Sequence, residues 1–153
     1  MIAADRLPHI DEHSATIGAG AERTWQALLR TVEASVSAGG ASRIARLLGC
    51  AQTEAGGPRP LAAGSTVPGF RVEAATEPRE LALAGSHRFS EYSLVFRLDD
   101  LGADGTRLRA ETRADFPGLR GEAYKTMVIR TRGHVLATRR MLDATRRRAE
   151  REA

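Results

Sequence analysis

"HRFSEYSLVFRL", residues 87–98, alternates apolar and polar side chains over its second half. The even-numbered positions from Tyr92 to Leu98 are apolar, whereas the odd-numbered positions include the polar residues Glu91, Ser93 and Arg97. Successive residues of a strand point to opposite faces of its sheet, so the stretch predicts a strand with one apolar face. That face meets either a packed core or a space kept open for another molecule, and this choice decides whether the chain can bind a ligand.

The same period of two continues on both sides of this strand. It places Phe70, Val72 and Ala74 on one face, and it recurs at Leu81 and Leu83. The last run, residues 106–116, directs one set of residues inward: Leu108, Ala110, Thr112, Ala114 and Phe116. Short links rich in turn residues, "EPRE" and "DDLGADG", join the runs, which predicts an antiparallel meander with one wetted face.

Helical periodicity surrounds the meander. A short strand at residues 13–17 precedes an amphipathic helix around Trp25 and a second helix that ends before Gly49. Residues 119–150 predict one long helix whose basic end, residues 143–153, projects and frays. The predicted fold class is therefore α+β: a first strand, two short helices, and a curved antiparallel sheet wrapped around a long C-terminal helix.

Length and composition restrict the class of protein. At 153 residues the chain predicts a single domain, 1–153. No apolar run approaches the roughly 20 residues that span a bilayer, the N-terminal sequence lacks the pattern of a secretory signal, and Cys50 is the only cysteine. We therefore expect a cytoplasmic protein, and no metal site, since no cluster of Cys and His has zinc-like spacing.

The formal net charge of +4 is concentrated in one element. Residues 119–153 carry ten basic and four acidic residues, a net +6, whereas residues 1–118 carry 13 basic and 15 acidic ones, a net −2. A basic helix can bind nucleic acid or an anionic membrane, yet acidic neighbours such as Asp143 neutralise part of this charge. We favour a solvated helix end, with an interaction module that uses the basic helix as an alternative.

Small residues on both sides of the interior predict a gap between the sheet and the last helix. At about 100° per residue the inner stripe of that helix contains Thr131, Thr138 and Thr145, which face Thr112 and the alanines of the last strand. An empty void costs on the order of 24 cal/mol per Å³, so something must occupy it. Either the first two helices and the loop at residues 50–66 fill the gap, or it is a ligand pocket.

Several segments resemble the START-like helix-grip superfamily, also called SRPBCC, which includes the birch pollen allergen and proteins of polyketide cyclase/dehydratase type. "HSATIGAGAERTWQALL", residues 13–29, is similar to the first strand and helix of that superfamily, and nearly the whole chain takes part. "GSHRFSEYSLVFRL", "ADFPG" and "IRTRGHV" resemble a group of small bacterial SRPBCC proteins. The resemblance implies a cavity that holds lipids, hormones, polyketides or other apolar molecules, with no universal catalytic motif and no cofactor.

The sequence then predicts the residues of the site. The candidate ligand-binding residues are Phe70, His87, Tyr92, Phe96, Thr112, Phe116, Met127, Thr131, His134 and Thr138. If the protein is a cyclase- or dehydratase-type enzyme instead of a binding protein, we expect His87, Tyr92 and His134 to supply acid and base groups. The expected partner in either case is a small apolar or amphipathic molecule.

Two arginines also fall close to the inner stripe of the last helix. Arg132 and Arg139 have the reach and the geometry to bind a ligand carboxylate or phosphate. They can equally turn to the rim and pair with Glu91 or Asp115, which is the interpretation that we favour.

Overall fold

The structure, a computed structural model, describes residues 3–37, 41–118, 121–123, 125–126 and 133–151. In these residues the strands are β1 (His9–Ile17), β2 (Thr66–Val67), β3 (Phe70–Thr76), β4 (Glu80–Ser86), β5 (Glu91–Asp100) and β6 (Thr106–Asp115). The helices are α1 (Ala21–Ser37), α2 (Ala41–Leu48) and α3 (Gly133–Arg151). No helix among the described residues is long and apolar enough to cross a membrane.

The strands form one antiparallel sheet in the order β1-β6-β5-β4-β3-β2. The chain therefore starts at one edge, crosses to the far edge through the two helices, and returns strand by strand to pair β6 with β1. Helix α3 packs against α1 and the sheet. The predicted α+β class and the curved sheet around the C-terminal helix are confirmed. Residues 118, 121–123 and 125–126 are helical, and the rest of the predicted helix before Gly133 lies outside the described residues.

A packed core fills one half of the space between the sheet and the helices. Its fully buried side chains include Trp25 and Leu28 of α1, Phe96 and Leu108 of the sheet, and Leu142 of α3. The apolar periods predicted in the sequence converge here, because an amphipathic helix and a one-faced strand can each bury their apolar side only against another element.

The first four residues of the quoted stretch are a turn and do not belong to the strand. Strand β5 begins at Glu91, and the backbone N–H of His87 donates a hydrogen bond to the carbonyl of Ser90 (3.0 Å), which closes the connection from β4. The predicted alternation holds from Tyr92 onwards. His87 is therefore a turn residue at the end of the sheet.

A β-bulge changes which residue of β3 faces the core. The register between β3 and β4 shifts between Val72 and Ala74, and because a bulge inserts one extra residue, the side-chain alternation slips by one. Ala75 packs against the core, whereas Ala74 packs on the opposite face of the sheet. The prediction that Ala74 shares the inner face of Phe70 and Val72 is wrong for this reason.

The outer face of the sheet is partly covered by the N-terminal 3-10 helix, Ala3–Arg6. Ser93 Oγ donates to the carbonyl of Ala4 (3.0 Å), and the Ala4 N–H donates to Glu73 Oε2 (2.8 Å). Ala4 is buried with Val95 in a second, small apolar cluster. The meander thus has less wetted surface than its alternation predicts.

The described part of the basic helix end contacts α1 and β1. Ala149 is fully buried, Arg148 Nη1 donates to Thr31 Oγ1 of α1 (3.0 Å), and the Gly18 N–H donates to Glu150 Oε1 (3.0 Å). Helix α3 extends to Arg151, and the fraying of this end stays a prediction.

Candidate functional site

The other half of the interior is an open cavity of about 1040 Å³. It lies between the sheet and α3, with α1 and α2 on its other sides, and β5 shows where it begins: Tyr92 and Leu94 line the cavity, whereas Phe96 and Leu98 belong to the core. The apolar face of the quoted strand therefore meets both a packed core and an open space. The first two helices and the 50–66 loop do not fill the gap.

The structure brings most of the predicted site residues together around this cavity. Those that line it are Phe70, His87, Tyr92, Thr112, Phe116, His134 and Thr138. Phe96 does not line it, because its side chain is fully buried one step further along β5, in the core. Met127 and Thr131 lie outside the described residues.

An aromatic wall is built on Tyr92. Its ring packs edge-on against Phe70, with 5.2 Å between ring centroids, and its Oη donates to the carbonyl of Gly69 (2.6 Å). Gly85 pairs with Tyr92 across the β4–β5 ladder. A Cβ at Gly85 would lie 2.2 Å from the Gly69 oxygen and 2.6 Å from the Tyr92 ring, so glycine is required for the ring to lie against the neighbouring strand. The wall is thereby fixed before any ligand arrives.

His87 stands beside this wall, and local contacts fix its ring. Its centroid is 5.5 Å from that of Tyr92, its Nδ1 accepts a hydrogen bond from the Phe89 N–H (3.1 Å), and Ser90 Oγ lies 3.4 Å from its Nε2. Burial lowers the pKa of His87 below its ordinary value, so the imidazole is neutral at pH 7. Because Nδ1 of this neutral ring accepts a hydrogen bond from the backbone, the ring proton is on Nε2.

His134 is held by a carboxylate on the edge strand. Its Nε2 lies 2.9 Å from Asp11 Oδ2, and His13 Nε2 lies 3.3 Å from the same oxygen. Since a carboxylate only accepts hydrogen bonds, the Nε2–H of His134 is the donor to Asp11. Two buried atoms of this group have no hydrogen-bond partner, Asp11 Oδ1 and His134 Nδ1. A carboxylate that orients an imidazole is the arrangement that acid–base catalysis uses.

The threonines of α3 satisfy their hydroxyl groups within the helix. Thr138 Oγ1 donates to the carbonyl of His134 (2.8 Å), and Thr145 Oγ1 donates to that of Met141 (2.8 Å). A buried hydroxyl without a partner costs free energy, so this back-bonding explains how threonine is tolerated in the inner stripe. Thr138 retains only acceptor capacity toward a ligand.

Solved structures with the same architecture cover nearly the whole chain. The Zhui aromatase/cyclase from Streptomyces sp. R1128 has a TM-score of 0.55 at 18% sequence identity, over 95% of this chain and 95% of that one. The protein Mll3558 from Rhizobium loti has a TM-score of 0.57 at 16% identity, over 93% and 98% of the two chains. The polyketide cyclase-like protein Cgl2372 from Corynebacterium glutamicum has a TM-score of 0.55 at 13% identity, over 93% and 91%.

The chain has the START-like helix-grip fold. The resemblance to this superfamily that the sequence segments indicated is confirmed at the level of the fold, because the similar structures include a polyketide cyclase-like protein and an aromatase/cyclase. No protein-family model and no curated protein sequence matches the chain. At such low identity a likeness shows the fold and leaves the activity open.

Two groups of residues in or beside this helix-grip cavity were not predicted from the sequence. Asp11 was left out because the first strand was expected to begin at residue 13, whereas β1 begins at His9, and His13 was placed in that strand without a role in the site. The signal was present, since the period of two extends back from Ile17 through Ala15 to His13 and Asp11. Arg140 and Arg147 line the cavity but were not predicted as site residues, and Arg147 was placed in a solvated helix end.

Of the two arginines that were predicted near the stripe, Arg139 does not line this cavity. Arg139 is exposed and lines a separate, smaller pocket of about 310 Å³ together with His13 and Arg146. Arg132 lies outside the described residues. The arginines of α3 that line the cavity are Arg140 and Arg147 instead.

Proposed function

We propose that the protein binds a small hydrophobic or amphipathic molecule in the cavity between the sheet and α3. The observation that supports this proposal is the cavity itself, whose volume of about 1040 Å³ is that of a small-molecule site. Most of its wall surface is aliphatic and aromatic, and its polar groups include Thr112, His87 and His134 as well as the charged residues of α3. Water alone is a poor occupant of such a space, because apolar walls offer it few hydrogen-bond partners.

We further propose that the protein is cytoplasmic and that its partner is this small molecule. A cytoplasmic binding protein agrees with the single free cysteine, Cys50. Its Sγ lies 3.8 Å from the Tyr92 hydroxyl on the cavity wall. The ligand acts as the partner, and the binding needs no cofactor.

A cavity-filling substitution tests the proposal. In Thr112→Phe the added ring enters the cavity from β6, so we expect the affinity for the neutral dye Nile red to fall by about tenfold or more, equivalent to about 1.4 kcal/mol. Fluorescence titration measures this change. The matched control is Thr16→Phe, the same substitution at an exposed position of β1, which should leave the affinity unchanged. Equal dye binding by all three proteins, or no binding by any of them, contradicts a ligand cavity.

Native mass spectrometry of the purified protein gives an independent test. A co-purifying small molecule that is lost in Thr112→Phe and kept in Thr16→Phe supports the proposal. Affinity for DNA that falls steeply with salt, without any bound small molecule, would favour the basic helix as an interaction surface instead.

A cofactor-independent cyclase or dehydratase is the second candidate, and the Asp11–His134 pair favours it. Of the three predicted catalytic groups, Tyr92 Oη already donates a hydrogen bond to the Gly69 carbonyl, and the His87 ring is held by the backbone of its own turn. His134, which is oriented by Asp11, is therefore the best placed for acid–base catalysis. Substitution His134→Gln separates the two functions. An enzyme loses turnover of a polyketide-like substrate while it retains uptake, whereas a pure binding protein shows no turnover in either form.

A further inference from the structure

Among the described residues, the Arg and Asp side chains that line the cavity all belong to α3. They are Arg140, Asp143 and Arg147, and all three are exposed at the open side of the cavity. Ala137 and Ala144 also line the cavity and lie on the same helix face as the two arginines, since positions 137, 140, 144 and 147 follow the helical spacing of three and four residues. Small alanines beside long arginines leave room for a ligand group under the guanidinium heads.

Arg140 and Arg147 have no partner among the described residues, either in an ion pair or in a side-chain hydrogen bond. Other arginines of the chain do: Arg97 and Arg113 bind Glu111, and Arg109 binds Asp99. The one carboxylate in the cavity wall, that of Asp143, is directed to Arg146, whose Nη2 lies 3.4 Å from its Oδ1. The open side of the cavity therefore presents two uncompensated positive charges.

The deeper walls carry the opposite chemistry. Apart from the three residues on α3 and the two histidines, the described residues that line the cavity are apolar or carry neutral polar groups, from Phe70 and Tyr92 on the sheet to Ala45 and Leu48 on α2. A molecule that fits both regions has an apolar body in the cavity and an anionic group at its open side.

We propose that the ligand is an amphipathic anion, an apolar molecule ending in a carboxylate, and that Arg140 and Arg147 bind this carboxylate. The two residues are seven positions apart, about 10.5 Å along a helix axis at 1.5 Å per residue, so their long side chains can reach a single group above Ala144. Guanidinium groups bind carboxylates with paired hydrogen bonds. This inference rests on the proposed function and names the class of molecule for the same site.

Four probes that share a twelve-carbon chain test the inference by isothermal titration calorimetry: dodecanoate, dodecanol, dodecylamine and dodecyl phosphate. We expect the wild-type protein to bind dodecanoate about three- to tenfold more tightly than dodecanol at low salt, because exposed charge pairs each contribute modestly. Dodecylamine should bind most weakly. The preference for dodecanoate should shrink as the salt concentration rises, since salt screens exposed charges.

The double variant Arg140→Gln/Arg147→Gln should lose the preference for dodecanoate while its affinity for dodecanol stays unchanged. The matched control is Arg139→Gln/Arg151→Gln, which removes the same charge from the same helix at exposed residues that do not line the cavity, and it should keep the preference. A phosphate ligand is indicated instead if dodecyl phosphate exceeds dodecanoate by more than tenfold in the wild type only, and this result overturns the carboxylate assignment.

The outcomes separate the inference from the function on which it rests. If dodecanoate and dodecanol bind equally, or if both double variants lose the preference to the same extent, the arginines do not select an anion, although the cavity still binds apolar chains. If none of the four probes binds, the proposed function fails and the inference falls with it.

Discussion

At the scale of single residues, the clearest constraint in the cavity is the contact between Tyr92 and Gly85. The Tyr92 ring occupies the position where any other residue at 85 would place its Cβ, and this lets the hydroxyl reach the carbonyl of Gly69. One glycine thus determines the position of the aromatic wall. Without it the ring would have to swing into the cavity or away from the sheet.

Substitution Gly85→Ala tests this constraint. The added methyl group would overlap the Gly69 carbonyl oxygen and the Tyr92 ring, so we expect a loss of about 1–3 kcal/mol in the free energy of unfolding, measured by urea denaturation. In the control Gly20→Ala the new Cβ meets no heavy atom within 4 Å, and the loss should stay below about 1 kcal/mol, the size of an N-cap effect. Equal losses in the two variants would show that the ring does not depend on Gly85.

At the scale of elements, α3 serves two purposes. One side of the helix lines the cavity from His134 to Arg147, and another side packs into the core through Leu142 and Ala149. Contacts with α1 and with the end of β1 fix the last turn. These contacts hold in place the helix that lines the cavity.

The variant Ala149→Glu tests whether the end of α3 is packed. It places a carboxylate at a fully buried position, and because an unpaired buried charge is costly, we expect a loss of about 2–4 kcal/mol in stability. Leu136→Glu on the same helix is the control, since Leu136 is 53% exposed, and it should change stability by less than about 0.5 kcal/mol. A projecting, frayed helix end would tolerate both substitutions equally well.

At the scale of the whole molecule, an ion cluster on the outer face joins the N-terminal segment to the centre of the sheet. Arg97 binds Asp5, Glu80 and Glu111, and Arg113 also binds Glu111. Burial by itself would raise the pKa of Glu111, but hydrogen bonds from Arg113, His9 and Arg97 outweigh it and lower the pKa to about 2. The cluster covers the face of the sheet opposite the cavity.

The lowered pKa of Glu111 predicts a specific loss of stability in acid. A carboxyl with a pKa of 4.5 when unfolded and about 2 when folded stabilises the fold above pH 4.5. This contribution, up to about 3 kcal/mol at 1.36 kcal/mol per pKa unit, is lost as the pH falls from 4.5 through 2. Glu111→Gln should be less stable than the wild type at pH 7, and the difference should shrink progressively below pH 4.5. Urea denaturation across this range measures it, and a difference independent of pH contradicts the assignment.

The local patterns of the sequence were sufficient to predict most elements. The period of two marked β4, the second half of "HRFSEYSLVFRL" and β6, and the period of 3.6 marked α1, α2 and α3, because these periods are properties of the backbone itself. Inward-facing residues such as Tyr92 and Thr112 could be predicted for the same reason. A bulge at Val72/Ala74 and a turn at residues 87–90 do not follow from alternation, so they were missed.

The amino-acid sequence by itself determined which side of each element is apolar, and hence the α+β class and the wrapping of the sheet around the last helix. Only the tertiary structure decided where that apolar side is filled. Phe96 and Tyr92 share one strand face, yet the first packs in the core with residues of α1 and α3 and the second lines the cavity. The Asp11–His134 pair joins residues 123 positions apart, and contacts of that kind depend on how whole elements pack.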